Sequence, residues 1–231
     1  MKKRLFLIAS LLIAVKLLFA QNCSSYYYFQ NNAEVEMSVL DAKGKAMVKN
    51  TYKVLSVKKE GASTVSDFSI TTKNDKGATV SSGKGQCKCK GGELLMDMKK
   101  FVPDMFPIKD MKVESDGNSL LSYPANMKEG QKLADGALQM SGSAEGMEMN
   151  LECLVTDRKV AGREKVTTAG GTWDCLKITC KVNLTVKMMS MNVPVQMDMT
   201  EWFAPDFGVV KINTDKDGKS AGVMEVTKVK K

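Results

Sequence analysis

The chain has 231 residues, with 34 basic and 26 acidic side chains, a formal net charge of +8, 17 methionines and no histidine. Without histidine, Ser-His-Asp and Cys-His nucleophile systems and metal sites with imidazole ligands are excluded. The lysines are scattered beside acidic residues and form no arginine-rich stripe interleaved with aromatic residues, so no nucleic-acid partner is predicted.

The first 20 residues have the order of a secretory signal peptide. A basic start, KKR at positions 2–4, precedes an apolar run over residues 5–19, and Ala20 stands before the polar sequence QNCSS. Lys16 interrupts the run, which is short for a membrane span. We therefore exclude this segment, residues 1–20, from the fold and predict a periplasmic or secreted mature chain without a transmembrane segment.

Removing the signal peptide takes four of the 34 basic residues, which leaves 30 against 26 acidic residues and a formal charge near +4. The basicity is therefore largely an export feature. Cys23 follows closely, and acylation there would make the protein a lipoprotein. The preceding residues, AQN, are not the small residues of a lipoprotein signal, so we favour soluble export over anchoring at Cys23.

Six cysteines form an even set, which makes disulfides chemically plausible in an exported chain. On a strand, Cys87 and Cys89 face the same way and Cys175 and Cys180 face opposite ways, so neither near pair is an easy local bridge. We expect long-range bridges and some free thiols. The six positions are Cys23, Cys87, Cys89, Cys153, Cys175 and Cys180.

Turn sequences recur along the chain, and each supplies Asp or Asn together with Gly, as β-hairpins require. Between them lie alternating segments rich in β-branched residues, such as EVEMSV, TYKVLSV, DFSITT and GVMEVTKV. This pattern predicts an all-β, antiparallel meander. The turn sequences are DAKGK (41–45), NDKGA (74–78), SDGN (115–118) and DKDGK (215–219).

Two stretches depart from this pattern. Residues 91–107, GGELLMDMKKFVPDMFP, indicate a short helix, or a strand followed by a proline-bounded loop. Residues 123–146 are loop-rich, with a strand inside. Composition does not shift enough there to mark a domain boundary, so we predict a single domain over residues 21–231 whose sheet has two lobes.

The sequence MMSMNVPVQMDMTEW (188–202) alternates with a period of two, which places its apolar residues on one face of a strand. The sequence MEMNLECLV (147–155) has the same alternating pattern, so two strands present a methionine-rich face. The candidate ligand-binding residues on this face are Met147, Met149, Met189, Met191, Met197 and Met199.

Three interpretations of the methionines stay open. They are ordinary core packing, an adaptable lining for an apolar ligand, or thioether ligands for Cu(I). Methionine is soft and unbranched, whereas a core with one fixed packing favours stiffer side chains. The buried placement, the intervening valines and the lack of histidine count against copper.

Catalytic patterns are weak. Cys87-x-Cys89 lacks the two-residue spacing of thioredoxin-like motifs. Asp174 and Glu201 beside tryptophans suggest a glycosidase pair, but acidic residues next to a strand tryptophan usually line a rim. No glycine-rich phosphate loop is present in the sequence. We therefore predict a non-enzymatic protein without catalytic residues, cofactor or bound metal.

Three segments resemble the TapB-like family of exported bacterial β-proteins of unknown function. They are YYYFQNNAEVEMSVLDAKGKAMVKNTYKV near the N-terminus, AGGTWDCLKI (169–178) and TEWFAPDFGVVKI (200–212). The motif residues that carry the resemblance are Trp173, Cys175, Trp202, Phe203, Pro205 and Gly208, and we interpret them as structural.

The resemblance implies a curved antiparallel sheet that forms an open or flattened barrel, with at most one or two short helices and no catalytic residues. We predict that the protein binds an apolar small molecule or lipid, such as an acyl chain, on the methionine-lined sheet. The alternative is an envelope interaction module that binds a protein partner and uses the methionines as ordinary core.

Overall fold

The structure is a computed structural model that describes residues 23–101, 109–114, 119–144, 147–188, 191–205 and 207–230. Within these ranges, it contains two 3₁₀ turns, one four-residue α-helix and thirteen strands. In chain order, the elements are the 3₁₀ turns Cys23–Ser25 and Tyr27–Phe29, β1 (Glu34–Leu40), β2 (Ala46–Glu60), β3 (Ser63–Asn74), β4 (Thr79–Lys90), β5 (Glu93–Asp97), α1 (Met98–Phe101), β6 (Lys109–Glu114), β7 (Leu120–Tyr123), β8 (Gly136–Ala144), β9 (Met147–Thr168), β10 (Gly171–Met188), β11 (Met191–Ala204), β12 (Gly208–Lys216) and β13 (Lys219–Lys230).

All thirteen strands belong to one sheet with the order β6-β8-β9-β10-β11-β12-β13-β1-β2-β3-β4-β5-β7. Every pair in this order is antiparallel. The sheet is nearly closed and barrel-like, with β6 and β7 as its two edges. The predicted all-β fold, with very little helix, is confirmed.

The predicted turns form where their side chains can bond the backbone. The Asp41 carboxylate accepts hydrogen bonds from the backbone N–H groups of Lys43 and Lys45, both at 2.9 Å. At the next turn, the Asn74 side chain accepts two equivalent bonds. Asp217 and Gly218 both have positive φ, at 51° and 72°, as a two-residue hairpin turn requires. The turn predicted over residues 115–118 lies outside the described residues, as does the signal peptide.

The first irregular stretch contains both a strand and a short helix, where the sequence indicated one or the other, and the second is loop-rich with a strand inside, as predicted. Residues 93–101 form β5 and the short helix α1. In the loop-rich stretch, residues 124–135 connect β7 to β8, and an isolated bridge joins Lys132 to Lys159 of β9. β8 is the strand inside this stretch.

Aromatic residues 26–29 close one end of the sheet, and we call this segment the aromatic plug. All four side chains are at most 5% exposed. The Tyr26 hydroxyl donates to the carbonyl of Gly92, at 3.0 Å, and the Tyr27 N–H donates to the carbonyl of Phe207, at 3.2 Å. These carbonyls belong to the β4–β5 and β11–β12 turns, so the plug ties together hairpins that are distant in sequence.

A disulfide holds the plug in place. Cys23 is bonded to Cys89 of β4, across a sequence separation of 66 residues. The expectation of a long-range bridge is therefore confirmed. The other four cysteines are free thiols, and all are buried.

The buried side chains form two clusters. The first core surrounds the plug and includes Phe68, Ile178 and Phe203, each inaccessible to solvent. The second core lies under β8, β9 and β10 and contains Met98, Leu138, Met140, Leu151, Cys153, Val155, Cys180 and Val182.

We expect the Cys23→Ala/Cys89→Ala double variant to lose about 2–4 kcal/mol of unfolding free energy, because the bond restricts a long loop in the unfolded chain. Urea denaturation measures the change. Dithiothreitol should lower the wild-type midpoint and leave that of the double variant unchanged, and Cys87→Ala serves as the control for a neighbouring buried thiol. Equal midpoints for the oxidised and reduced wild type would contradict the expectation.

Candidate functional site

Cross-strand pairing gathers apolar residues of β9, β10 and β11 on one face. Met149 lies opposite Met188, which lies opposite Met191, and the register continues in steps of two residues. We call this surface the methionine face. Its members are Met147, Met149, Leu151 and Cys153 of β9, Val182, Leu184, Val186 and Met188 of β10, and Met191, Val193, Val195, Met197 and Met199 of β11.

Burial decreases along the methionine face. Leu151 and Val182, which belong to the second core, are 2% and 8% exposed. Met197 and Met199 are partly buried against that core. At the hairpin end, Met191 is 54% exposed and Val193 is 51% exposed. The face is therefore a packed core at one end and an apolar surface open to solvent at the other.

The open end has a simple cause in the lengths of the strands. The ladder between β11 and β12 begins at Asp198, which pairs with Asp215. The residues of β11 before Asp198 pair with β10 alone, so the hairpin extends beyond β12. We expected the alternating apolar residues to be covered and the polar set to meet solvent; at Met191 and Val193 both sets are exposed.

The remaining predicted face residues are divided between these environments. Met147 and Met149 are partly buried, and Met189 lies outside the described residues. Sequence reasoning missed Met188, although the alternation in CKVNLTVKM (180–188) marks the same face of β10.

The segment AGGTWDCLKI (169–178) contributes to the plug end. The ring of Trp173, on β10, lies 5.2 Å from the ring of Phe207, between centroids. The buried thiol of Cys175 donates to the Trp173 carbonyl, at 3.7 Å. Both contacts are local packing around the plug.

In the segment TEWFAPDFGVVKI (200–212), the two aromatic residues lie on opposite faces of β11. Phe203 is inaccessible and stacks on Tyr123 with 4.8 Å between the ring centroids. Trp202 lies on the other face, where its indole N–H donates to Glu164. Pro205 lies in the following turn, and Gly208 is buried at the start of β12.

Gly208 has φ = +121°, and a side chain there would meet the rings of Tyr27 and Tyr28. This position therefore favours glycine through its backbone angle, while a Cβ would be in ordinary van der Waals contact with the plug. Lys177 and Lys211 flank the Trp202 ring, with their ammonium groups at 5.7 and 5.6 Å from its centroid.

A buried polar layer lies between the two cores, and sequence reasoning did not find it. Arg158 is 1% exposed, and its Nη1 donates to the carbonyls of Ser122 and Ala134, at 3.1 and 2.8 Å. Its guanidinium carbon lies 5.0 Å from the centroid of the Tyr123 ring. The Tyr123 hydroxyl donates to the carboxylate of Glu201, which is 2% exposed, at 3.0 Å.

Burial raises the pKa of Glu201, although the positive charge of Arg158 and the hydrogen bond from Tyr123 both oppose the shift. Arg158 retains unused donors. Its Nε and Nη2 atoms are buried and have no hydrogen-bond partner among the described residues. A buried donor without a partner is costly, so this edge of the guanidinium is a feature that needs an explanation.

A β-bulge directs Arg158 inward. On β10, Thr179 pairs with Lys159 and Lys181 pairs with Thr156, so Asp157 and Arg158 together lie opposite a single residue. Asp157 has φ = 56°, and the bulge shifts the alternation of β9 by one position.

The candidate catalytic carboxylates are not brought together. The Asp174 side chain is 88% exposed and pairs with Lys165, whereas Glu201 is buried in the polar layer. No cluster of three or more acidic or cysteine side chains suited to a metal ion is found within the described ranges. No helix in those ranges is long and apolar enough to cross a membrane.

A depression of about 190 Å³ lies over β8, β9 and β10, among mostly polar side chains that include Gln139, Asn150 and Lys187. It is smaller than the ligand pockets typical of proteins, which measure about 300–1,000 Å³. The methionine face is therefore the stronger candidate for binding apolar molecules, as an exposed surface and not as an enclosed cavity.

The fold and the face define a protein built on one antiparallel, barrel-like sheet with an aromatic plug at one end. The sequence matches the model of the DUF3108-like family over residues 30–226, and the chain belongs to that family. The TapB-like name stays a prediction. No curated protein matches the chain.

Two solved structures share the fold. A protein of Bacteroides fragilis NCTC 9343, described as exported and as having a YmcC-like fold, superposes with a TM-score of 0.72 and 21% identity, covering 89% of this chain and 99% of that one. A protein of Parabacteroides distasonis ATCC 8503, described as a lipoprotein, has a TM-score of 0.72 and 18% identity with the same coverage. At these identities, the likeness shows the fold alone.

We expect the wild type to lose stability relative to Glu201→Gln as the pH rises above about 4, the ordinary range of a glutamate pKa. The folded state holds the Glu201 proton more tightly than the unfolded state, so deprotonation favours unfolding until the folded pKa is passed. Urea denaturation over a pH series measures the difference.

Glu34→Gln is the matched control. The hydrogen bond from Lys230 lowers the pKa of Glu34, so the wild type should gain stability relative to this variant as the pH rises towards about 4 and show no further change above it. The same direction of change for both variants would contradict the assignment of Glu201.

We expect all four free thiols to resist iodoacetamide in the folded protein at about pH 8, close to the pKa of an ordinary thiol. Burial raises the pKa of Cys153 to about 11 and that of Cys175 to about 12, and raises those of Cys87 and Cys180 further. Intact mass spectrometry should show no adduct under native conditions and four in urea. Fast native labelling of any thiol would instead indicate an accessible, reactive cysteine.

Proposed function

We propose that the protein is a non-enzymatic, exported protein of the cell envelope that binds an apolar molecule, such as an acyl chain, on the methionine face. The observation that carries this proposal is the exposed end of the face, where Met191 and Val193 are each more than half exposed on a strand pair that β12 does not extend. Large contiguous apolar surfaces are uncommon on soluble proteins and often mark binding sites.

The chemistry of the face supports a ligand of variable shape. Methionine has three rotatable bonds and a polarizable sulfur atom, so it adapts to irregular apolar surfaces. Each methylene group buried against it contributes roughly 0.8 kcal/mol. A chain of several methylenes would therefore bind through its hydrocarbon alone, without covalent chemistry.

One observation supports an envelope location, and a second concerns membrane anchoring. The solved relatives are described as an exported protein and a lipoprotein. The sulfur of Cys23 is bonded to Cys89, and an acyl thioether would need the same sulfur atom. The disulfide therefore favours soluble export over anchoring at Cys23.

We expect Met191→Ser/Val193→Thr to weaken the binding of decanol by roughly tenfold or more, because two apolar side chains leave the surface that contacts the ligand. Isothermal titration measures the affinity. Both residues are exposed, so the melting temperature should change little. Met47→Ser/Val80→Thr is the matched control, since Met47 and Val80 are similarly exposed, at 50% and 57%, on β2 and β4.

Native mass spectrometry of protein purified from its own envelope gives an independent answer. A stoichiometric extra mass that is extracted into organic solvent supports the proposal. An apo mass, a co-purified protein and no decanol binding would instead favour the interaction module. Cu(I) binding that is lost in Met197→Leu/Met199→Leu would favour the copper alternative.

A further inference from the structure

The unused edge of Arg158 has the geometry of a carboxylate site. Nη1 already donates to the carbonyls of Ser122 and Ala134, which leaves Nε and Nη2. In a planar guanidinium, the N–H bonds of Nε and Nη2 on this edge are parallel and match the two oxygens of a carboxylate. Both atoms are buried, so an anion held there would be shielded from water.

Arg158 lies where the methionine face begins. Cys180, a member of the second core, is electrostatically coupled to both Arg158 and Glu201. On β11, Glu201 is followed on the same face by Met199, Met197 and the residues towards Met191. At about 3.3 Å per residue, the ten residues from Glu201 to Met191 span roughly 33 Å, so a common acyl chain held at Arg158 lies on the face and points towards Met191 without reaching it.

We propose that Arg158 binds the carboxylate of a single-chain fatty acid whose hydrocarbon lies along the methionine face towards Met191 and Val193. This inference rests on the proposed function and names its ligand class. The charged end would occupy the polar layer between the two cores, and the chain would follow the direction in which burial decreases.

The charges of the layer suit such a ligand. Arg158 is the cation of the layer and Glu201 is its acid, with Tyr123 donating to Glu201. A ligand carboxylate at Nε and Nη2 would give the guanidinium a partner on the edge that no described residue occupies. A buried guanidinium favours an ionised, bidentate partner over a neutral hydroxyl.

The second core lies between Arg158 and the open end, and it is rich in methionine. Its side chains between Arg158 and the open end include methionines from three separate elements, namely α1, β8 and β11. These side chains change rotamer without branching constraints, so they can move aside for a hydrocarbon more easily than valine or isoleucine. The methionines are Met98, Met140, Met197 and Met199.

The test compares decanoate with decanol, which have equal chain length and different head groups. We expect the wild type at about pH 8 to bind decanoate at least tenfold more tightly than decanol, as charge-assisted hydrogen bonds predict. In Arg158→Met, this preference should disappear, so that decanoate and decanol bind with about equal affinity. Arg158→Lys keeps the charge without the paired donors and should give an intermediate preference. Isothermal titration measures both affinities.

The outcomes separate this inference from the proposed function. If both probes bind equally to the wild type, the apolar site stands and the inference fails. Such a result would mean that Arg158 binds an ordered water and not a carboxylate. If folded Arg158→Met keeps the preference, another cation holds the carboxylate and the inference fails. If neither probe binds, both proposals fail. Should Arg158→Met not fold, the wild-type preference and its reduction in Arg158→Lys decide the question.

Discussion

The ladder between β1 and β13 joins two meanders into one sheet. β1–β5 form one run of hairpins and β8–β13 the other, and the order of the sheet places β13 against β1. Glu34 pairs with Lys230 and Glu36 accepts a hydrogen bond from Thr227, so polar contacts accompany the ladder along its outer side. Without this ladder, the first core would lose one wall, because Val35 and Val226 are buried on either side of it. The plug, the polar layer and the methionine face all depend on the curvature that this junction completes.

Much of the sheet could be predicted from local chemistry. Turns such as Asp41–Lys45 form because one side chain satisfies two backbone donors, and that information is local. The inward position of Glu201 was also available, since it shares its parity with Met197, Met199 and Phe203. A charged residue among apolar residues on one strand face indicates a buried polar site. Arg158 was not predictable in the same way, because its parity points outward and only the bulge at Asp157 reverses it.

The exposed end of the methionine face was also beyond the sequence pattern. Alternation identifies which residues share a face, but the neighbours that cover the face depend on where adjacent strands stop. Met191 and Met199 have the same parity and similar surroundings in sequence. They differ in their neighbours, because Met199 lies beside β12 and packs against the second core, whereas Met191 lies beyond the end of β12. Methionine tolerates both a buried and an exposed position, so its presence in the sequence does not indicate which of the two it occupies.

The pairing of the cysteines has a consequence for how the chain matures. In a chain that enters an oxidising compartment N-terminus first, as the proposed export implies, Cys23 would meet Cys87 before Cys89. The native bond skips Cys87, which becomes buried two residues along β4 from the disulfide-bonded Cys89. Consecutive oxidation would therefore form a bridge that has to be exchanged before the hydrophobic interior assembles. If the chain is exported as proposed, the native pairing would require delayed oxidation or disulfide exchange while β4 is still accessible.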